Sequence, residues 1–172
     1  MSIDEVLQEV KNYVSKHPEF HAYIGQGFSE WMFDSNGPRK ELLDKIVSDK
    51  PVMLKGAGGH SAWCNSKALE VAGITRNTPD PVPNSQFFKR DENGIPTGCL
   101  VETEPMSMVL DAIDPYIEEE VIKTFKKITN DYSAAGVTAI QEGGALGNEI
   151  DEGRELVQRA LKEGWLKQRI MA

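Results

Sequence analysis

The chain has 172 residues, 40% of them apolar and 27% charged, the balance of an ordinary globular domain with a real core. Nineteen basic against 27 acidic residues leave a net charge of −8. This argues against nucleic acid and anionic membrane surfaces, which need clustered Lys and Arg. No apolar run is long enough to span a bilayer, and the first residues lack the basic and apolar segments of a secretory signal. Cys64 and Cys99 form no CxxC and read as small buried thiols in a reducing compartment, so the expected location is the cytoplasm.

In chain order, Ile3, Val6, Leu7, Val10, Tyr13 and Val14 fall at helical spacing, which predicts an amphipathic helix ended by Pro18. Ala22 to Ile24 reads as a short strand entering Gly25-Gln26-Gly27. Pro38 suits the first turn of a helix reaching about Ile46. Pro51 to Leu54 reads as a buried strand, followed by a glycine-rich turn and a helix over about Trp63 to Val71, with Gly73 as its left-handed cap.

Residues 77–84 are rich in Pro, Asn and Asp and read as loop. Gln86 to Lys89 and Thr97 to Val101 predict a hairpin, with the Asn93-Gly94 pair supplying the positive φ angles of its turn. A helix follows over about Pro105 to Ile113. Asp114-Pro115 then opens a helix with Ile117, Val121, Ile122, Phe125, Ile128 and Tyr132 turned inward. Glu118 to Glu120 sit where its dipole favours acid, and Lys123, Lys126 and Lys127 read as a solvated face.

Residues 137–141 predict a strand, 151–162 a helix capped by Gly164, and 166–171 a further strand. Strand, helix, strand is the rhythm of a parallel sheet. The expected class is α/β: an α+β subdomain with a β-hairpin over residues 1–114, then strand–helix units of a partial barrel over 115–172. Open sheet edges in such a segment suggest a piece of a larger domain, and a route by which copies could associate.

His60 is the titratable residue of most interest. With Trp63 and Asn65 it would put an imidazole, an indole and an amide near one helix start, where they could orient a polar substrate. The competing reading is that His60, Ser61 and Asn65 cap that helix. Glu142 ends the predicted strand 137–141, the end at which α/β barrels build sites, or it is an exposed loop acid. His17 and His21 have ligand-like i, i+4 spacing, but Pro18 interrupts the helix they would need. No HxH or HExxH occurs, so no metal set is expected within these residues.

The run from Gly59 to Thr75, Gly-His-Ser-Ala-Trp-Cys-Asn-Ser-Lys-Ala-Leu-Glu-Val-Ala-Gly-Ile-Thr, resembles the signature of the amidohydrolase 3 family, the YtcJ-like and N-substituted formamide deformylase-like hydrolases. Further blocks resemble it in the same order: Gly25 to Phe28, Arg39 to Asp44, Thr78 to Pro81, Gly94 to Glu102 and Ala135 to Gly143. The resemblance implies metal-dependent hydrolysis of amide-type C–N bonds in a longer (β/α)₈-barrel protein, with a divalent metal, zinc the expected ion. Its ligands would lie outside residues 1–172, so this chain alone is expected to be inactive. This segment would supply pocket walls around a small-molecule substrate, with His60, Trp63, Asn65 and Glu142 as lining groups. Gly58-Gly59 and Val82-Pro83-Asn84 depart from the family pattern. The alternative is a non-catalytic small-molecule-binding or assembly module.

Overall fold

A computed structural model describes residues 2–115, 117–141 and 151–171 of the chain. They belong to two compact units, Met1–Pro115 and Tyr116–Ala172.

The first unit contains α1 (Ile3–Lys16), β1 (Tyr23–Phe28), a 3₁₀ turn (Glu30–Met32), α2 (Lys40–Asp44), β2 (Val52–Gly56), β3 (Ser61–Cys64), α3 (Ser66–Val71), β4 (Phe87–Arg90), β5 (Pro96–Val101) and α4 (Thr103–Ile113). The five strands form one sheet in the order β1-β2-β3-β5-β4. β1 and β2 run parallel, with Ile24 opposite Met53, and the other pairs are antiparallel.

Side-chain alternation along the strands divides the core between the two faces of this sheet. Val52 and Leu54 of β2 and Trp63 of β3 pack with Val6, Tyr23, Phe28, Leu43 and Val47. Met53, Ala62 and Cys64 point the other way, against Leu69, Val109 and Ile113 of α3 and α4. Each large apolar side chain so buried stabilises the fold by roughly 1.5–3 kcal/mol. Helix α1 meets the first layer through Ile3, Val6, Leu7, Val10 and Val14, the stripe its periodicity predicts. A capping box between Ser2 and Glu5 satisfies its first backbone donors.

Two expectations for this unit change. A helix beginning at Trp63 is replaced by strand β3, and α3 starts only after Asn65. Ser61 to Cys64 is paired on both sides, by β2 and β5, so ladder bonds outweigh a helical pattern only two turns long. The hairpin β4–β5 forms as expected, but only Gly94 of its turn has positive φ, at 75°. The Asp91 carboxylate shapes the turn instead, accepting from the Asn93 and Ile95 amides at 2.9 and 2.8 Å. Those bonds hold its carboxyl below the usual range.

The second unit contains α5 (Glu118–Ala134), β6 (Ala139–Gln141), α6 (Asp151–Lys162) and β7 (Arg169–Met171). β6 and β7 pair in parallel, with Ile140 opposite Ile170. Ala160 and Leu166 are buried, as are Thr129 and Gln168, and the Gln168 amide donates to the Thr129 carbonyl and the Ser133 hydroxyl. Ile117, Ile128 and Tyr132, expected to turn inward, are exposed among the described residues. The whole is a mixed α/β structure. Among the described residues no helix is long and apolar enough to cross a membrane.

Candidate functional site

The parallel pair β1 and β2 gives the sheet a defined carboxyl end, where α/β proteins place their ligands because the following loops converge there. After β1 comes Ser29 and the turn Glu30–Met32; after β2 comes the turn through Gly59 to His60. The Ala57 amide donates to the Phe28 carbonyl at 2.8 Å and holds these two exits together. The antiparallel neighbours complete the end: β3 starts at Ser61, and β5 finishes at Val101, directly opposite Ser61. Three chain passages thus bring Glu30, the adjacent His60 and Ser61, and Glu102 into one cluster.

Its geometry is specific. The His60 Nδ1 lies 2.9 Å from Glu102 Oε2, and the Glu102 amide donates to the His60 carbonyl at 2.9 Å. The Ser61 hydroxyl donates to Glu30 Oε1, also at 2.9 Å. Gly56 makes room for the Glu30 carboxylate: a Cβ there would collide with Glu30 Oε1. The His60 side chain is 76% exposed and that of Glu102 37%. The hydrogen bond to Glu102 raises the imidazole pKa, the charge of the same carboxylate adds to it, and Glu30 contributes further. Trp31, on the turn after β1, is 95% exposed.

Glu102 has φ 69° and ψ 180°. That region belongs almost entirely to glycine and costs another residue about 1–3 kcal/mol. The conformation is held from both sides. Val101 is paired with Ser61 and Phe87, and the Glu104 amide donates to the Gln86 side chain at 2.8 Å.

The other expected site residues are placed differently. Trp63 is fully buried; its ring sits edge-on to Phe33 and Phe28, with centroids 5.2 and 6.1 Å away, and its Nε1 donates to the Arg39 carbonyl at 2.9 Å. Asn65 is fully buried and uses its whole amide. Its Oδ1 accepts from the Val52 and Ala68 amides, both at 2.9 Å. Its Nδ2 donates to the Val47 and Lys50 carbonyls at 2.9 and 2.8 Å. Asn65 does cap α3, as one of the two sequence readings has it, whereas His60 caps nothing and heads a strand. Glu142 lies outside the described residues. Glu30, Trp31 and Glu102 were missed as candidates, although Glu102 ends one of the blocks that carry the resemblance.

Among the described residues no group of three or more His, Cys, Asp or Glu side chains is arranged to hold a metal ion, so the residues present do not fit the metal that the resemblance implies. Elsewhere, an apolar groove of about 410 Å³ runs between α1 and β1 past Val10, Tyr13, Ile24 and Phe28. Its one ionisable acid, Glu9, has no charged partner among the groove residues, so the His60 cluster is the stronger candidate for chemistry.

Comparison with known proteins identifies the family of the chain. Exoenzymes regulatory protein AepA of Pectobacterium carotovorum is 34% identical over 169 residues, 96% of this chain but 36% of AepA. YtcJ of Bacillus subtilis is 34% identical over 138 residues, 80% of this chain and 26% of YtcJ. The chain thus spans about a third or less of the length of these relatives. The crystal structure of an uncharacterized metal-dependent hydrolase from Pyrococcus horikoshii superposes with a TM-score of 0.54 at 20% identity, covering 99% of this chain and 30% of that one, a likeness of fold. The model of the amidohydrolase family matches residues 1–170. The chain belongs to the amidohydrolase family.

Proposed function

We propose that this chain contributes substrate-pocket walls to a longer metal-dependent hydrolase of amide-type C–N bonds, with His60 as the polar group facing a small-molecule substrate. The observation that carries this reading is the placement of His60, paired with Glu102, at the carboxyl end of the parallel strands β1 and β2. In this reading residues 1–114 are an insertion subdomain and 115–172 contribute strand–helix units to a (β/α)₈ barrel. The divalent metal, zinc by expectation, is held by residues outside this chain. The cytoplasm is the proposed location.

Trp63 and Asn65 act behind the pocket. Trp63 fills the layer beneath β3, and Asn65 ties the end of α2, the start of β2 and the start of α3 to one amide. Glu142 remains a proposed lining residue on the strength of its position after β6.

The test is kinetic. In a full-length relative, alanine at the position of His60 should lower kcat/KM by roughly ten-fold or more, the value of one polar contact to substrate. Unchanged kcat/KM at unchanged stability would sink the pocket role. AepA's description as a regulatory protein favours a second reading, a binding module. Stabilisation of the 172-residue chain by a small molecule without added metal would support that reading instead.

A further inference from the structure

The backbone at Glu102 poses a question that the fold alone does not answer. The reversal from β5 into α4 needs a positive φ with extended ψ, and glycine meets that need without strain. The chain places a glutamate there. The strained residue is therefore retained for its side chain, and its carboxylate makes one side-chain contact of good geometry, to His60 Nδ1. Main-chain and side-chain bonds join the same two residues, since the Glu102 amide also donates to the His60 carbonyl. The imidazole is tethered at both ends of its own residue although its ring stands in solvent.

We propose that Glu102 is a positioning residue for His60: it accepts a hydrogen bond from Nδ1–H and so leaves Nε2 as the ring atom presented to a ligand. This rests on the reading of His60 as a pocket group. A carboxylate on one ring nitrogen fixes the tautomer and orientation of the other, the arrangement by which general bases and metal-bound imidazoles are aimed in proteins. With Nδ1 occupied, neutral His60 offers the Nε2 lone pair to an N–H or O–H of the ligand. The protonated ring offers Nε2–H to a carbonyl or carboxylate oxygen, with its positive charge balanced by Glu102. The ligand group is thus polar and able to meet either state, as an amide is, with an N–H and a C=O side by side.

The charged groups facing His60 are Glu102, at the end of β5, and Glu30, after β1. Both favour the protonated ring. Glu30 is itself held by Ser61 and so acts only at longer range. Glu102 therefore controls both the tautomer and most of the rise in proton affinity, and the two effects separate by substitution. A glutamine at 102 keeps an oxygen that can accept from Nδ1–H but has no charge. An alanine keeps neither. A glycine keeps neither and also removes the strain.

The experiment is nitrogen-15 NMR of the ¹⁵N-histidine-labelled 172-residue chain across pH, in the wild type and in Glu102→Gln, Glu102→Ala and Glu102→Gly. Wild-type His60 should be the Nδ1–H tautomer with a titration midpoint above the ordinary histidine value. Glu102→Gln should keep the tautomer while the midpoint falls. Glu102→Ala and Glu102→Gly should lose both, with the ring reverting to a majority of Nε2–H. Glu102→Gly should melt no lower than wild type, which guards against a variant that simply unfolds. An Nε2–H tautomer in the wild type, or a tautomer and midpoint unchanged in Glu102→Gly, would overturn the proposal. The kinetic loss on replacing the His60 equivalent in a full-length relative tests the pocket reading separately. If that loss is absent while the NMR behaves as stated, the pairing stands and the pocket role fails.

Discussion

Truncating Asn65 to alanine should destabilise this chain severely without any ligand being involved. An asparagine amide has two acceptor positions and two donor protons, and all four are used here, inside a residue with no exposed surface. Removal takes the cap from α3, worth about 1 kcal/mol. It also strands the Val52 amide and the Val47 and Lys50 carbonyls, and each buried orphan costs about 1–3 kcal/mol before water refills part of the space. The expected loss is about 3–5 kcal/mol, or a fall in Tm of roughly 10 °C or more. Asn65→Asp sharpens the test. It keeps the two bonds accepted from amides but turns a carboxylate oxygen toward the Val47 and Lys50 carbonyls. It should be at least as damaging at neutral pH and recover in part as the acid is protonated. Urea denaturation followed by circular dichroism measures both variants. A loss under about 1 kcal/mol for Asn65→Ala would refute the assignment and return the Asn65 amide to a ligand-facing role.

Three further outcomes follow from the structure. Because the folded-state pKa of His60 is raised, the His60–Glu102 pair contributes stability that is fully present below the ordinary histidine value and lost as pH rises through the raised one. Glu102→Gln should flatten that part of the stability–pH curve, and a curve of unchanged shape would count against the pairing. Gly98→Ala should cost about 2–4 kcal/mol, because φ there is +96° and an added Cβ would collide with the Cys64 carbonyl and press on Lys40, adding strain to overpacking; a near-neutral melting curve would contradict it. Burial pushes the Cys99 thiol up to about 11 and raises Cys64 further still, so both should resist iodoacetamide at pH 8 in the native chain and react together in denaturant. Fast labelling of native protein would show a more open sheet.

The elements with strong local patterns were legible in the sequence. The α1 stripe, the β4–β5 hairpin, α4, and the succession β6, α6, β7 all come from periodicity and turn chemistry acting over a few residues. Strand β3 was not legible. Ala62, Trp63 and Cys64 are all buried because helices cover both faces of the sheet, so no alternation marks the strand, and the helix signals of Asn65 to Val71 extend over it. The same error placed Trp63 and Asn65 beside His60 on one helix start, whereas the strand turns Trp63 inward and leaves Asn65 as the cap. His60 could be singled out as a histidine after a glycine turn. Its partner could not, since Glu102 is 42 residues away in sequence and meets it only because β3 and β5 are neighbours. Glu30 is hidden for the same reason, reaching Ser61 across the ends of β1 and β2.

The central claim is that His60 faces the substrate of a longer amidohydrolase from the carboxyl end of β1 and β2. The most direct test is kcat/KM in a full-length relative with alanine at the His60 position, alongside its metal content and Tm. The account predicts a fall of roughly ten-fold or more with metal content and Tm unchanged. Wild-type kcat/KM in a folded, metal-replete variant would contradict it.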